Sequence, residues 1–306
     1  MEKRLKGVCF GEILFDVFLE HKKIGGAPLN VASRLNSLGG DISMVSAVGN
    51  DANGEKLVDY LNGVGVKTNT IQVKENYGTG VVNVILNEKG NASYDISYPA
   101  AWDKIEASQL STKVVEEADF FVYGSLSSRD SVSNNTLKGL LKVAKYSIFD
   151  VNLRVPHYTK SNVLELLHAA DFIKFNDDEL HEICQDLNSG KKSLEQNILF
   201  IAEKTNTKTI CVTLGSHGAV LYCNGKFYHN CGFKVNVVDT VGSGDSFLAS
   251  LIIKLLNGED PQHAVNFASA IGAIVAQNEG ANPVITATEI NSFLVGFEPK
   301  KQQIVN

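Results

Sequence analysis

A short stretch toward the C-terminal end of the chain combines glycines with a carboxylate at the predicted start of a helix. Residues 239–245 read DTVGSGD; a predicted strand at residues 235–238 precedes them and an apolar helix follows from Phe247. Backbone N–H groups at a helix start are unpaired and the helix dipole adds positive charge, so the pattern predicts an anion site. Asp245 would repel a bound phosphate, which favours its acting as a base toward a hydroxyl that attacks the phosphate. On this motif alone, a capping loop in which Asp245 only complements the dipole stays an open alternative.

A second polar group lies at the start of another predicted helix. Residues 25–32 read GGAPLNVA, where the paired glycines permit close approach of a ligand to the backbone and Pro28 suits a first helical turn. Asn30 lies away from the apolar stripe of that helix and could donate to and accept from hydroxyl groups. Asp16, on the preceding strand, could accept two hydrogen bonds from a sugar, although a solvated carboxylate is the simpler interpretation of this residue alone.

A third, acidic group follows two apolar strands. Residues 150–154 read DVNLR and residues 174–179 read KFNDDE. Their position predicts the carboxyl ends of strands in a sheet, where ligands of α/β proteins bind. Carboxylate and amide oxygens are the ligands that Mg²⁺ on a nucleotide prefers, directly or through water. Asn176 with the acids after it also fits a helix cap, and both roles stay open.

The elements that must position these groups alternate between strands and helices. The chain opens with a strand at residues 7–14, whose alternation continues to residue 20, and a strand at residues 42–48 follows the first helix. Two β-prone runs, 81–86 and 92–98, are joined by a turn sequence and predict a hairpin. Further strands are predicted at residues 120–122, 148–150, 172–175 and 209–214, with helical segments between them. This order predicts an α/β fold: a mostly parallel sheet with helices on both faces, and a small β sheet projecting from it.

Composition narrows the classes of function. The 306 residues carry 28 Lys and Arg against 34 Asp and Glu, a net charge of −6, which argues against nucleic acid or an anionic membrane as partner. Five cysteines without a paired spacing indicate a reducing compartment, so we expect a cytoplasmic protein. The longest nearly apolar stretch is half of the roughly 20 residues that a membrane-spanning helix needs. The chain lacks the sequence GxxxxGK[ST], a GxGxxG continuation, HExxH and GxSxG, which excludes several other phosphate-binding and hydrolytic classes.

Taken together, the three motifs resemble those of the ribokinase-like (PfkB) carbohydrate kinases, in the order typical of that family. The likeness extends from Gly11 to about Ala281, and both the GGAPLNVA and the DTVGSGD signatures are present at the expected separation. The resemblance implies a single three-layer αβα domain over residues 1–306. It also implies a small β lid from about residues 13–23 and 78–101.

The resemblance also implies roles for individual residues. Asp245 would be the base, and the amides of Gly242, Ser243 and Gly244 would form the anion hole. The residues implied at the sugar are Asp16, Gly25, Gly26, Asn30, Arg154, Tyr94 and Tyr98. The residues implied at the nucleotide are Lys174, Asn176, Thr213, Gly215, Gly218, Asn266, Ala270 and Asn278. Glu179 would organise Mg²⁺ through water, and Asp239 and Thr240 would bind a monovalent cation, K⁺.

The activity implied is transfer of a phosphoryl group from ATP to a primary hydroxyl of a sugar. GGAPxN and DxNxR are similar to fructokinase sequences, so fructose is the first choice of acceptor. Ribose, ketodeoxygluconate and nucleosides stay open as acceptors, as does a sugar-sensing protein without catalysis on the same fold. Family members often pair through the lid, which implies a homodimer of that kind.

Overall fold

A computed structural model describes residues 4–18, 21–86 and 92–295 of the chain. The strands are β1 (Lys6–Phe10), β2 (Leu14–Val17), β3 (Lys22–Gly25), β4 (Asp41–Gly49), β5 (Ile71–Lys74), β6 (Gly80–Leu86), β7 (Ala92–Ile96), β8 (Phe120–Gly124), β9 (Ser147–Asp150), β10 (Phe172–Asn176), β11 (Thr209–Thr213), β12 (Ala219–Cys223) and β13 (Lys226–Asn230). The α-helices are α1 (Ala27–Ser37), α2 (Ala52–Gly63), α3 (Gln109–Glu117), α4 (Ser131–Leu141), α5 (Lys160–His168), α6 (Asp177–Asp186), α7 (Leu194–Thr205), α8 (Ser243–Leu256), α9 (Pro261–Ala276) and α10 (Ala287–Val295). Short 3₁₀ helices cover Ala101–Lys104, Leu126–Ser128 and Gly215–His217.

The larger sheet confirms the predicted α/β class. Its nine strands, counted over the described residues, lie in the order β13-β12-β11-β10-β9-β8-β1-β4-β5. All neighbours are parallel except β11–β12 and β12–β13. One face packs against α3 to α7 through residues such as Leu137 and Ile198, and the other against α1, α2, α8 and α9 through residues such as Leu35 and Leu251. The result is a three-layer αβα arrangement.

The predicted opening strand at residues 7–14 is wrong in its extent, because the chain changes sheets within it. β1 ends at Phe10, and β2 begins at Leu14 in a separate sheet with the order β3-β2-β6-β7. The break lies at Gly11, whose φ of 139° is outside the range that most residues adopt, and Ser46 Oγ donates to the Gly11 carbonyl at 2.6 Å. Apolar residues continue across the break, so their alternation does not reveal it.

The smaller four-stranded sheet contains the predicted hairpin. β6 pairs with β7 antiparallel, with Val82 opposite Ile96, and β2 lies between β6 and β3. The turn of this hairpin, residues 87–91, lies outside the described residues. This small sheet places β2 and β3, and with them Asp16 and Gly25, on the route from β1 to α1.

The strand predicted at residues 235–238 is also wrong. This segment is irregular, and Val237 and Val238 are 59% and 64% exposed. β12 and β13, joined by the turn Asn224-Gly225, already form the outer edge of the large sheet. The segment that follows β13 is held instead by a hydrogen bond of 2.8 Å, which the Val238 N–H donates to the Ala276 carbonyl. The DTVGSGD motif is therefore approached from a loop that lies against the end of α9. Among the described residues, no helix has the length and apolar composition that crossing a membrane requires.

Candidate active site

The start of α8 presents free backbone N–H groups. Gly242 has a φ of 75°, and a Cβ there would lie 2.4 Å from the Cβ of Ala281, so both conformation and space require glycine. Within the described chain, the N–H groups of Gly242 and Gly244 have no protein acceptor, whereas the Ser243 N–H donates to the Thr240 carbonyl at 3.2 Å. Of the three amides expected in the anion hole, two are therefore available, and that of Ser243 closes the turn.

Asp245 is held in place by a chain of amide side chains. Asn30 Nδ2 on α1 donates to Asp245 Oδ2 at 2.8 Å, and Asn282 Nδ2 donates to Asn30 Oδ1 at 2.9 Å. Asn30 is buried, so its amide is fixed with its donor toward the carboxylate. The buried Arg34 reinforces the junction of α1 and α8 with bonds to Ser246 Oγ (3.1 Å) and the Pro283 carbonyl (2.9 Å).

The environment of Asp245 makes it a stronger base than an ordinary aspartate. Burial, together with the nearby Asp150 carboxylate, raises the pKa of Asp245 to about 6. The hydrogen bond from Asn30 and the charges of Lys174 and Arg154 oppose this rise. A carboxylate with such a pKa is ionised at neutral pH and still accepts a proton readily, as a general base must.

Lys174 connects the acidic group to the start of α8. It is buried in the middle of β10, and its Nζ lies 3.0 Å from Asp150 Oδ1. Burial alone would lower the pKa of Lys174, but the carboxylates of Asp150 and Glu179 outweigh burial and raise it. A Cβ on Gly244 would lie 3.6 Å from this Nζ, so the ammonium is next to the free amides.

Asn176 and Glu179 form the predicted helix cap. Asn176 Oδ1 accepts from the Glu179 N–H and Glu179 Oε2 accepts from the Asn176 N–H, both at 2.8 Å. Glu179 Oε1 also accepts from the Leu153 N–H at 3.0 Å, which ties the DVNLR segment to α6. Burial raises the pKa of Glu179, and Lys174 opposes the rise. The cap thus brings a buried carboxylate close to Lys174 and Asp150.

Four of the residues predicted to contact a sugar lie on the small sheet or at the start of α1: Asp16 on β2, Gly25 at the end of β3, Gly26 directly before α1, and Asn30 on α1. A Cβ on Gly25 would lie 2.4 Å from Asp16 Oδ2, and a Cβ on Gly26, where φ is 108°, would lie 2.5 Å from the Glu12 carbonyl oxygen. Burial raises the pKa of Asp16, and the positive charge of Arg154 opposes it. Arg154 itself is exposed, with Nη1 bonded to the Leu153 carbonyl at 2.9 Å.

Tyr98, one of the two predicted tyrosines, is not brought to this place. Tyr98 is 60% exposed, and its hydroxyl donates to Asp130 Oδ2 at 2.9 Å. Its ring lies 5.1 Å from the Arg129 guanidinium. The contacts of Tyr98 are thus with the start of α4 and not with the residues around Asp245. The side chain of Tyr94 lies outside the described part of the chain.

A cavity of about 660 Å³ opens beside the start of α8. Its walls include Thr213, Gly215 and Gly218, three of the residues that the resemblance implies at the nucleotide, together with Ser243 and Gly244. Gly218 is required there, because a Cβ would lie 2.0 Å from the Asn230 carbonyl oxygen. The cavity therefore extends from the end of β11 to the free amides.

The predicted stretch of α9 lines this cavity with a different face from the one expected. The wall residues are Ser269, Gly272, Ala273 and Ala276, spaced as one helix face. Ala270 is wholly buried in the core. Asn266 Oδ1 accepts from Asn230 and Gln262, and Asn278 Nδ2 donates to the Ile274 carbonyl. These three predicted residues are therefore absent from the cavity wall as described: the helical period turns Asn266 and Ala270 away, and Asn278 lies beyond the end of α9.

The loop before α8 holds the residues predicted to bind a monovalent cation. Asp239 Oδ1 accepts from the Val241 N–H at 3.0 Å and Oδ2 accepts from the Gly280 N–H at 3.1 Å. Burial raises the pKa of Asp239, but these two bonds outweigh it and the pKa lies below its usual value. Thr240 lines the cavity. Across the described ranges, no three His, Cys, Asp or Glu side chains cluster in a way that could hold a metal ion.

Comparison with known proteins identifies the family of this chain. The model of the pfkB family carbohydrate kinases matches residues 6–288. The chain belongs to this family. It is 29% identical to Fructokinase-2 of Oryza sativa subsp. japonica, over 94% of this chain and 93% of the rice protein.

Solved structures of carbohydrate kinases share the fold. Fructokinase of Xylella fastidiosa with bound ATP superposes with a TM-score of 0.83 at 23% identity, covering 95% of this chain and 98% of that one. A double mutant of Vibrio cholerae O395 fructokinase, bound to fructose, ADP and potassium ion, gives 0.82 at 22% identity, with coverage of 96% and 99%.

Sequence reasoning missed several residues at this candidate site. Asn282 follows the last motif and orients Asn30, yet nothing in its local sequence indicates a contact with α1. Glu12 is 2% exposed at the break between β1 and β2, and burial raises its pKa to about 8. An acidic residue within an apolar run directly after a glycine was the available signal for Glu12. For α9, the signal was the row of small residues at positions 269, 272, 273 and 276.

Proposed function

We propose that this carbohydrate kinase transfers the γ-phosphoryl group of ATP to a primary hydroxyl of a sugar, with fructose as acceptor and fructose 6-phosphate as product. The observation that carries the proposal is the placement of Asp245. A carboxylate with a raised pKa, fixed by Asn30, lies one residue from the free Gly244 amide at a helix start. This arrangement fits a base beside an anion hole.

In the proposed mechanism, the nucleotide lies in the 660 Å³ cavity with its phosphates toward α8. Asp245 takes the proton of the attacking hydroxyl, while the amides of Gly242 and Gly244 and the Lys174 ammonium stabilise charge on the transferred group. These groups are fixed before the substrate arrives, so little reorganisation is needed during the reaction.

Mg²⁺ is expected to accompany ATP, and the acidic group fits this ion. Asp150 Oδ2 is buried without a hydrogen-bond partner among the described residues, and Glu179 lies near it around Lys174. Hard carboxylate oxygens are suitable ligands for Mg²⁺, directly or through water. When bound, the ion would neutralise charge on the ATP phosphates. Asp150 and Glu179 would orient it and Asn176 would hold Glu179 in position.

The acceptor is proposed to bind between the small sheet and α8, with Asp16, the backbone at Gly25 and Gly26, Asn30 and Arg154 around its hydroxyls. The small sheet would act as a lid that excludes water from the reaction. Similarity to curated fructokinases over most of the chain supports fructose as the acceptor. β3 and β7 are the outer strands of the small sheet as described, each paired on one side, and such edge strands would suit a homodimer. Five free cysteines support a cytoplasmic enzyme.

A panel of acceptors tests the proposed substrate. ADP release is measured with fructose, ribose, ketodeoxygluconate and a purine nucleoside at equal concentrations, with and without Mg²⁺. We expect the highest kcat/KM with fructose, by at least about tenfold, because lost hydrogen bonds to hydroxyls each reduce transition-state binding. Preferred turnover of another acceptor would contradict fructose but support the kinase. Absence of turnover with every acceptor, despite binding of a sugar by calorimetry, would support a sensor instead.

The pH dependence of kcat/KM should follow the ionisation of Asp245. Because the base must be ionised, kcat/KM should fall about tenfold per pH unit below the pKa of about 6 and level off above it. The measurement is kcat/KM for fructose between acid and neutral pH, with return of each sample to neutral pH to exclude unfolding. A profile without an acidic limb near this pKa would contradict the role of Asp245.

A further inference from the structure

A lysine of the small sheet contacts the carboxylate that was expected to bind potassium. Lys23 on β3 has its Nζ 3.4 Å from Asp239 Oδ2 and 3.3 Å from Glu279 Oε1. Asp16 lies opposite Lys23 in the β2–β3 register and feels the same positive charge. One ammonium thus pairs with two carboxylates, of which Glu279 is on the surface and Asp239 is largely covered, and its charge also acts on Asp16.

Potassium does not fit beside this ammonium. The two oxygens of Asp239 already accept hydrogen bonds from the N–H groups of Val241 and Gly280, and the third neighbour is the positive Nζ of Lys23. A cation on the same carboxylate would face a like charge at short range. A hard cation also needs several oxygen ligands. The groups around this carboxylate are instead two N–H groups and an ammonium, which donate hydrogen bonds and offer no oxygen to a cation.

We propose that Lys23 is a built-in cation at Asp239, which organises the loop before α8 and makes the enzyme independent of potassium. The ammonium bonds to Asp239, whose Oδ2 also holds the Gly280 N–H. The segment that begins at Gly280 leads to Asn282, which orients Asn30 and through it Asp245. Lys23 is therefore a positioning residue that stabilises the site through the loop.

The same contact joins the small sheet to the anion hole. Lys23 belongs to β3, whereas Asp239 belongs to the loop that leads into α8. If the small sheet moves when the acceptor binds, the charge at Asp239 moves with it. A free potassium ion could not make this connection, because no bond joins it to β3. The link between β3 and the loop before α8 therefore distinguishes Lys23 from a bound potassium ion.

The experiment compares wild type with Lys23→Met in about 100 mM KCl or choline chloride, an ionic strength at which surface charges are equally screened. Two readouts are used: kcat with the best acceptor, and Tm of the protein without ligands. Wild type should give the same kcat and Tm in both salts. Lys23→Met should lose about tenfold or more in kcat in choline chloride, as for loss of a charged hydrogen bond, and recover in KCl. Its Tm should rise in KCl relative to choline chloride.

Two further variants control this test. Lys22→Met removes the neighbouring lysine of β3, which bonds Asn53 and lies over the Phe15 ring, and should create no potassium dependence. Lys23→Arg keeps the positive charge and should behave as wild type toward the two salts. The kcat readout rests on the proposed function, but the Tm readout does not, so failure of the kinase proposal leaves the Lys23 proposal testable. A wild-type enzyme that itself requires KCl, or a Lys23→Met variant with equal Tm and kcat in both salts, would overturn it.

Discussion

Replacement of Asp245 by asparagine is expected to lower kcat by about 10² to 10⁴-fold, the usual contribution of a general base. The amide has nearly the same shape as the carboxylate and can stay within reach of Asn30, so the loss isolates proton transfer from packing. KM for ATP should change little, because the cavity walls are not altered. The measurement is steady-state ADP release with fructose at saturating ATP.

The same variant should be at least as stable as wild type. Burial and Asp150 raise the pKa of Asp245 from 3.8 to about 6, so the folded state disfavours the ionised form. Sites that are optimised for chemistry commonly carry such a cost in stability. By linkage, this cost is present above the folded-state pKa and disappears as pH falls through it toward the ordinary value of 3.8. The Tm of Asp245→Asn should therefore equal or exceed that of wild type at neutral pH, with a difference that shrinks toward pH 4.

The matched control is Asp178→Asn, which removes an exposed carboxylate from the first turn of another helix, α6. This control should retain wild-type kcat and lose only a little stability, because a negative charge at a helix start is favourable. A variant Asp245→Asn with more than about a tenth of wild-type kcat would contradict general-base catalysis. A parallel fall in Tm would instead attribute the loss of activity to damaged structure.

Much of the fold was predictable because the apolar runs of single segments and the alternating order of strands and helices along the chain indicate the same α/β class. Strands β8 to β11 and the helices between them follow from apolar runs and their spacing, and the start of α8 follows from the glycines before it. The two errors share a cause: β propensity does not show which sheet a segment joins, or whether it joins one at all. Val237 and Val238 favour a strand but find the sheet edge already occupied by β13, and the strand beginning at residue 7 leaves its sheet at Gly11.

The site was predictable where one short segment holds the whole contact, as in the Asn176 and Glu179 cap or the Gly242 turn. It was not predictable where contacts join distant segments. Asn282 and Asn30 are separated by 252 positions in the sequence. Lys23 and Asp239 are separated by 216. On α9, the length of the helix was indicated but not its rotation about its axis, which depends on packing against α8 and selects Gly272 over Ala270 for the cavity wall.

Replacement of Lys174 by methionine should have the second large effect, on stability as well as on rate. Methionine preserves most of the buried volume but leaves Asp150 and Glu179 without their counter-charge, which costs about 3–5 kcal/mol when a buried pair is broken. The phosphate charge beside Gly244 would also lose a nearby cation, so kcat should fall by about 10²-fold or more. Because Lys174 lowers the pKa of Asp245, the acidic limb of the kcat/KM profile should move to higher pH. Tm, kcat and the pH profile are the measurements.

The double variant Asp150→Asn with Lys174→Met separates the two roles of this lysine, which are to balance the buried carboxylates and to stabilise charge on the transferred group. Lys56→Met, on the exposed face of α2, controls for the loss of a positive charge. Removing the Asp150 charge should restore much of the lost Tm, because no uncompensated carboxylate then lies beside the methionine. It should not restore kcat, because the cation beside the Gly244 amide is still absent and the carboxylate of Asp150, which is proposed to orient Mg²⁺, is removed as well. A Lys174→Met variant with wild-type Tm would contradict the structural role of the ion pair. Recovery of kcat in the double variant would show that Lys174 acts only by balancing Asp150 and contributes nothing to charge on the transferred phosphoryl group.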